Sequence, residues 1–163
     1  MLKKSNQKGF TIIEVLIVLA IAGLILLVVF LAVPALQRNS RNSGYRNEAN
    51  RLLGAVQEIS ANNGGNTLTA SGSGTAGSDA AKVFAATNAK NLSTIAIEAY
   101  AAGGNTAPTL STATVVTGAK CPSASPAVAT GKVTLTAGTT RQTALLYAVE
   151  DNAGAAVVQC TES

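Results

Sequence analysis

The chain has 163 residues, of which only 12% are charged and 4% are aromatic, and it contains neither Trp nor His. Without His, no side chain has an ordinary pKa suited to general-base work near neutral pH. We also find no nucleophile motif and no phosphate-binding glycine loop, so we expect neither an enzyme nor a cofactor. Three of the 12 Lys and Arg residues, Lys3, Lys4 and Lys8, lie in the first nine positions. The remainder is nearly neutral, so the net charge of +4 does not indicate nucleic-acid binding.

The basic N-terminal segment ends at Gly9 and is followed at once by an apolar stretch. Residues 15–36 carry no charge, and these 22 residues would form a helix of roughly 33 Å, enough to cross a hydrocarbon core of about 30 Å. Glu14 stands at the start of this stretch. A carboxylate at membrane depth is costly without a partner, which makes Glu14 a functional candidate.

Two simpler interpretations of this segment are a secretory signal peptide and a plain membrane anchor. The apolar stretch of 22 residues is longer than the signal-peptide core of about 7–15, and no clear Ala-x-Ala cleavage site follows it. A plain anchor has no use for Glu14 and no need of Gly9 before Phe10. Both features favour a more specific function.

Residues 8–17, with the sequence KGFTIIEVLI, resemble the N-terminal signature of type IV pilins and of the related type II secretion pseudopilins. The resemblance implies that prepilin peptidase cleaves after Gly9 and that the new N-terminal residue, Phe10, is N-methylated. It also implies that Glu14 pairs with the N-terminal amine of a neighbouring subunit during filament assembly. Residues 1–9 would then be a cleaved leader, and residues 10–36 the transmembrane and assembly half of a long helix.

Gly23 and Pro34 interrupt the apolar stretch, as is tolerated in membrane helices. In the family that the chain resembles, a glycine and a proline bracket a segment that unwinds when subunits pack. Gly23 lies at the usual position of that glycine, whereas the usual proline position corresponds to Leu31. The resemblance therefore implies unwinding between Gly23 and Pro34, and the alternative is a simple kink at Pro34.

The helix is expected to continue over residues 37–61 with one apolar face. That face comprises Tyr45, Ala49, Leu52, Leu53, Val56 and Ile59. Glu48 and Arg51 are spaced as an i,i+3 ion pair. Two asparagines and two glycines at residues 62–65 predict the end of the helix.

Four arginines follow the apolar stretch: Arg38, Arg41, Arg46 and Arg51. They are more typical of contacts with lipid phosphates or acidic groups than of nucleic-acid binding, because no aromatic residue interleaves with them to stack on bases. Nucleic acid is therefore the less favoured partner. The charges on the two flanks of the apolar stretch nearly balance, so a cytoplasmic N-terminus rests on the family resemblance.

Residues 62–113 are predicted to be a variable loop region, rich in Gly, Ser, Thr and Asn at its start. The apolar positions of residues 80–102 are compatible with a short helix or a strand. Asn91-Leu92-Ser93 fits the N-glycosylation pattern, which is common by chance.

Residues 114–163 are predicted to form an antiparallel meander of three or four strands. The predicted strands are residues 114–117, 132–136, 144–149 and 155–159, with a hairpin loop at 151–154. By alternation, Leu145, Tyr147 and Val149 share one face of their strand, and Leu146 and Ala148 share the other. The predicted fold class is α+β, with a long N-terminal helix packed against a small antiparallel sheet.

Cys121 and Cys160 are the two cysteines, and an even count in an exported domain indicates a disulfide. Two free buried thiols are the alternative. Zinc is not expected, since two thiolates without His are too few ligands. The resemblance implies a pilin, because pilins place such a pair near the C-terminus, whereas major secretion pseudopilins generally lack it and bind calcium. Glu150, Asp151 and Glu162 are too scattered for a calcium site, so no metal is expected.

Together these features predict a pilin precursor whose partners are prepilin peptidase, membrane lipid, the inner-membrane assembly machinery and other copies of itself. It would be a single-pass inner-membrane protein before assembly and part of an extracellular pilus afterwards, serving adhesion, motility or DNA uptake. One alternative is a pseudopilin of a secretion or competence system. The other is a membrane-tethered binding domain that never polymerises.

Overall fold

The computed structural model describes residues 9–72 and 77–163, so residues 1–8 of the predicted leader lie outside the described residues. The chain divides into two units, residues 1–39 and residues 40–163. Helix α1 is Ile12–Asn62. Its residues up to 39 belong to the first unit, and its residues from 40 onward belong to the second. Its end at Asn62 agrees with the predicted end at residue 61, because Gly64 and Gly65 adopt positive φ angles and terminate the helix.

In the unit of residues 40–163, the described residues add a short helix and ten strands to this segment of α1. Helix α2 is Asp79–Thr87. The strands are β1 Ser71–Gly72, β2 Thr94–Ala99, β3 Asn105–Thr106, β4 Thr112–Thr117, β5 Ala119–Lys120, β6 Val128–Ala129, β7 Lys132–Val133, β8 Thr136–Ala137, β9 Thr143–Glu150 and β10 Ala156–Glu162. The main sheet has the order β1-β2-β4-β9-β10, while β3-β7-β6 and β5-β8 form two small sheets.

The α+β class is confirmed, but the main sheet is not antiparallel throughout. Strand β2 pairs with β4 in parallel, and the other neighbouring pairs of this sheet are antiparallel. The predicted loop region of residues 62–113 therefore needs correction, because it contains α2, β1, β2 and β3 and the start of β4. The alternation of buried Ile95 and Ile97 explains why β2 joins the core of the sheet.

Strand β9 is an interior strand of the main sheet, because it pairs with β4 on one side and β10 on the other. The predicted division of its side chains is confirmed. Leu145, Tyr147 and Val149 belong to a core cluster that includes Leu52 and Val56 of α1. Leu146 belongs to a second cluster on the opposite face of the sheet. The sheet therefore buries both faces, one under α1 and the other under the segments that precede β9.

The strand predicted at residues 132–136 does not join the main sheet. It divides into β7, which pairs with β6, and the start of β8, which pairs with β5. Thr130 and Gly131 have φ angles of 49° and 73°, the positive values that a two-residue hairpin turn requires, and they join β6 to β7. Val133 and Leu135 are buried in the second cluster, which explains the strand-like pattern in the sequence.

The predicted disulfide is confirmed. Cys121 and Cys160 are bonded, with their Cα atoms 5.7 Å apart. The bond joins β10 to the chain just after β5, and both cysteines pack against the second core cluster. The predicted hairpin loop at residues 151–154 is also present, closed by the Asp151 N–H, which donates to the Ala155 carbonyl at 2.9 Å.

Replacing both cysteines by serine (Cys121→Ser with Cys160→Ser) should lower the free energy of unfolding by about 4 kcal/mol, since the bond closes a loop of about 40 residues. Urea unfolding of the full chain in detergent micelles, followed by near-ultraviolet circular dichroism, measures this. Wild-type protein treated with a reducing agent is the matched control and should reproduce the double variant. An unchanged midpoint in either sample would contradict the prediction.

Candidate processing and assembly site

The start of α1 is a capping box built by Thr11 and Glu14. The Thr11 hydroxyl accepts from the Glu14 N–H at 3.4 Å, and the Thr11 N–H donates to Glu14 Oε2 at 2.9 Å. The Thr11 hydroxyl also donates to Glu14 Oε2 at 2.7 Å. This reciprocal arrangement satisfies backbone groups that a helix start otherwise leaves unpaired. It fixes the beginning of α1 at Ile12.

The peptide bond between Gly9 and Phe10 therefore lies before the helix, in backbone without helix or strand hydrogen bonding. Phe10 is 89% exposed. A Cβ atom built on Gly9 would meet no other atom within 4 Å, so packing within the described chain does not require glycine there. Any requirement for glycine at position 9 must therefore come from contacts made outside residues 9–72 and 77–163.

Glu14 Oε2 takes part in both hydrogen bonds from Thr11, whereas Oε1 accepts no hydrogen bond from the described residues. Phe10, Glu14, Val15, Val18 and Leu19 line a groove of about 320 Å³ beside this carboxylate. The site can therefore accept a further donor at Oε1 next to an apolar recess.

The apolar half of α1 is exposed throughout its unit, since every residue from 9 to 37 is solvent-accessible. An 18-residue window of α1 has a mean hydropathy of 3.4, so α1 is long and apolar enough to cross a membrane. The helix is continuous through Gly23 and Pro34. Unwinding between these two residues concerns an assembled state and stays a prediction.

Residues 4–30 match the family model described as the prokaryotic N-terminal methylation motif. The match includes Gly9, Phe10, Thr11 and Glu14, so the motif coincides with the capping box and the exposed peptide bond before it.

The chain carries the type IV prepilin signature. This signature indicates a precursor of the pilin-like class, either a pilin or a pseudopilin, anchored in the membrane before assembly. The match covers about one sixth of the chain. Neither a curated protein nor a solved structure shows significant similarity to this chain.

Beyond the signature, α1 carries a buried carboxylate, Glu48, whose role the sequence did not reveal. Glu48 of α1 is only 6% exposed. Its Oε1 accepts from the Lys90 N–H at 2.9 Å and from Asn91 Nδ2 at 2.8 Å, and its Oε2 accepts from the Leu92 N–H at 3.1 Å. The predicted pair with Arg51 is wrong, because Arg51 instead donates to the Thr87 carbonyl. Glu48 thus attaches the loop after α2 to the helix.

Gly44, one turn before Glu48, permits this close approach. A Cβ atom on Gly44 would lie 3.1 Å from Asn91 Nδ2. The Asn91 amide nitrogen is therefore held between the helix backbone and the Glu48 carboxylate. This geometry argues against a glycan on Asn91, although the tripeptide fits the glycosylation pattern.

A second polar attachment joins α1 to the end of β9. The Asn42 side chain donates to the Glu150 carbonyl and accepts from the Glu150 N–H, each at 2.8 Å. Arg41 donates to both carboxylate oxygens of Glu150, at 2.9 Å and 2.7 Å. The amide of Asn42 therefore acts as a strand would, by satisfying both backbone groups of one residue.

Glu48→Gln should lower the free energy of unfolding at neutral pH by about 2 kcal/mol, because charged hydrogen bonds from three backbone N–H groups are weakened. Burial by itself raises the pKa of Glu48, but the hydrogen bonds from Asn91, Lys90 and Leu92 outweigh burial and lower it. The stabilisation is therefore present above the unfolded-state pKa of about 4.3 and is lost as the pH falls through the lower folded-state value.

Urea unfolding of the full chain between pH 7 and pH 3 tests this prediction. The difference between wild type and Glu48→Gln should shrink on acidification. Glu58→Gln is the control, because Glu58 is exposed on the same helix and has no hydrogen-bond partner among the described residues. A difference that stays constant with pH would refute the role of the Glu48 charge.

Proposed function

We propose that the protein is a type IV pilin, the structural subunit of a surface filament. The observation that carries the proposal is the methylation motif at residues 4–30, which leads into a helix whose exposed apolar half, residues 12–37, contains a single carboxylate, Glu14. An exposed apolar helix of this length needs lipid or other apolar helices around it. Membrane residence followed by packing into a filament supplies both environments in turn.

Maturation removes residues 1–9 by cleavage between Gly9 and Phe10, and the Phe10 amine is then methylated. The position of this bond before the helix supports the proposal, since a peptidase needs an extended substrate that it can reach. Because Gly9 has free space around its Cα atom, its role in this proposal is recognition by the peptidase.

In assembly, the Phe10 amine of one subunit pairs with Glu14 of an adjacent subunit. Glu14 Oε1 supports this role, because it accepts no hydrogen bond from the described residues. The pair offsets the cost of burying the carboxylate among apolar helices and sets the axial register of the subunits. The mature subunit leaves the inner membrane and becomes part of an extracellular pilus.

The disulfide between Cys121 and Cys160 favours a pilin over a major secretion pseudopilin. Such a bond near the C-terminus is a pilin feature within the family that the signature indicates. It also suits a domain that works outside the cytoplasm, where disulfides persist.

Glu14→Ala should leave cleavage intact and reduce the yield of sheared surface filaments by at least about tenfold, because an unpaired buried amine costs several kcal/mol. Intact mass of the membrane-extracted protein reports cleavage, and electron microscopy of the sheared fraction reports filaments. Glu58→Ala is the matched control and should assemble normally. Normal filaments from Glu14→Ala would count against the proposal.

Gly9→Leu should block cleavage and leave a precursor that keeps residues 1–9. The substitution introduces no clash within the described chain, so any loss of cleavage arises at the peptidase. Gly23→Ala is the control, because Gly23 has equally open surroundings and lies away from the cleaved bond. N-terminal sequencing of both variants shows whether cleavage after residue 9 has occurred. A Gly9→Leu chain beginning at Phe10 would show that the peptidase does not select glycine.

A further inference from the structure

Strand β10 is a seven-residue edge of the main sheet, and among the described strands it pairs with β9 alone. The Ser163 N–H donates to the Thr143 carbonyl, and the Asp151 N–H donates to the Ala155 carbonyl. These two bonds fix the hydrogen-bonded pairs of the antiparallel ladder at odd-numbered residues of β10. The outward backbone groups therefore belong to Ala156, Val158, Cys160 and Glu162.

These outward groups have no hydrogen-bond partner within residues 9–72 and 77–163. The disulfide and the Cys121 N–H, which donates to Glu162 Oε2 at 2.8 Å, engage side chains of β10. Natural sheet edges are usually protected by Lys, by Pro, by bulges or by being very short. Strand β10, with the sequence AVVQCTE, has no Lys and no Pro.

Strand β6 is a second open edge, since its only strand partner in the described part of the chain is β7. Ala129 and Lys132 close the two-residue hairpin turn, so the backbone groups of Val128 point away from β7. Val128 is 51% exposed and Val157 of β10 is 39% exposed. Within the described part of residues 40–163, these two valines are the exposed large apolar side chains, and each lies on an open edge.

We propose that the β6 edge of one copy of this chain adds to the β10 edge of another copy. Strand addition would pair the outward groups of Val128 with those of β10 and cover both valines. Because two different edges meet, the contact is heterologous, so each copy can use its β6 edge and its β10 edge with different neighbours, as a filament requires. The proposal rests on the filament function and supplies a contact within the filament between the units of residues 40–163 of neighbouring copies.

Charge supports this choice of partner. Lys132 lies opposite Ala129 in the hairpin that presents β6, and Lys132 has no ion pair among the described residues. Glu162 is exposed at the end of β10. Opposite charges near the two edges favour the pairing of β6 with β10 over the pairing of either edge with itself.

A zero-length carbodiimide cross-linker, applied to the full chain in detergent micelles and to sheared filaments, tests the contact. We expect a covalent dimer on a denaturing gel that contains a Lys132–Glu162 linked peptide by mass spectrometry. Dimers without that peptide, or no dimers in filaments that form normally, would overturn the proposal.

Proline variants test the backbone contribution. Val128→Pro and Ala156→Pro each remove one outward N–H and leave the bonds to β7 and β9 in place. They should reduce dimer yield by about fivefold or more relative to Val128→Ala and Ala156→Ser, which keep the N–H. Equal yields within each matched pair would refute strand addition.

Folding is checked by disulfide formation and the urea midpoint. Where a proline variant does not fold, charge-reversal variants test the contact instead, and light scattering measures their association. Lys132→Glu and Glu162→Lys should each weaken association, and the double reversal should restore it. Failure of the double reversal would overturn the proposal.

The two proposals fail in distinguishable ways. If wild-type cells form no filaments but the protein in micelles still gives the Lys132–Glu162 cross-linked dimer, the filament function is refuted and the contact between β6 and β10 stands. Normal filaments from the proline and charge variants would remove the edge contact and leave the filament function standing.

Discussion

Helix α1 has to satisfy two environments along one continuous element, and the rest of the structure depends on this constraint. From residue 9 to residue 37 every residue is exposed, and the residues are almost all apolar, so no side of the helix suits water. From residue 40 onward the same helix buries one side, through Ala49, Leu52 and Val56, under the sheet. The first half therefore needs a partner outside its own chain, whereas the second half finds its partner in β9 and the neighbouring strands.

Polar contacts, rather than apolar packing, mark the point where α1 changes from an exposed helix to a helix packed under the sheet. Asn42 and Glu48 are less than two turns apart on α1, and each satisfies backbone groups of a different segment. Asn42 holds the end of β9, and Glu48 holds the loop after α2. Apolar contacts are non-directional, so they bury a face without fixing the position of a helix along its axis. Directed hydrogen bonds to backbone groups do fix it, and here they lie where α1 enters the core.

Local patterns in the sequence were sufficient for the helix, for the two faces of β9 and for the disulfide, because periodicity and cysteine count are properties of single segments. They were insufficient where the partner is distant. The spacing of Glu48 and Arg51 suggests a mutual ion pair, yet three consecutive N–H groups at residues 90–92 offer Glu48 a better set of donors. Likewise Ile95 and Ile97 indicate a strand, but no local feature shows that β2 pairs with β4 in parallel. Val133 and Leu135 alternate like a strand because both are buried, although Val133 belongs to β7 and Leu135 lies between β7 and β8.

The capping box bears on how the Glu14 carboxylate could serve both the start of α1 and the intersubunit pair that we propose. Thr11 engages only Oε2 of Glu14, and each carboxylate oxygen can accept more than one hydrogen bond. An incoming amine at Oε1 would therefore not displace Thr11, and the helix start would stay capped while the ion pair forms. The threonine thus holds the carboxylate in a fixed orientation before any neighbour arrives, so less freedom is lost when the intersubunit pair forms.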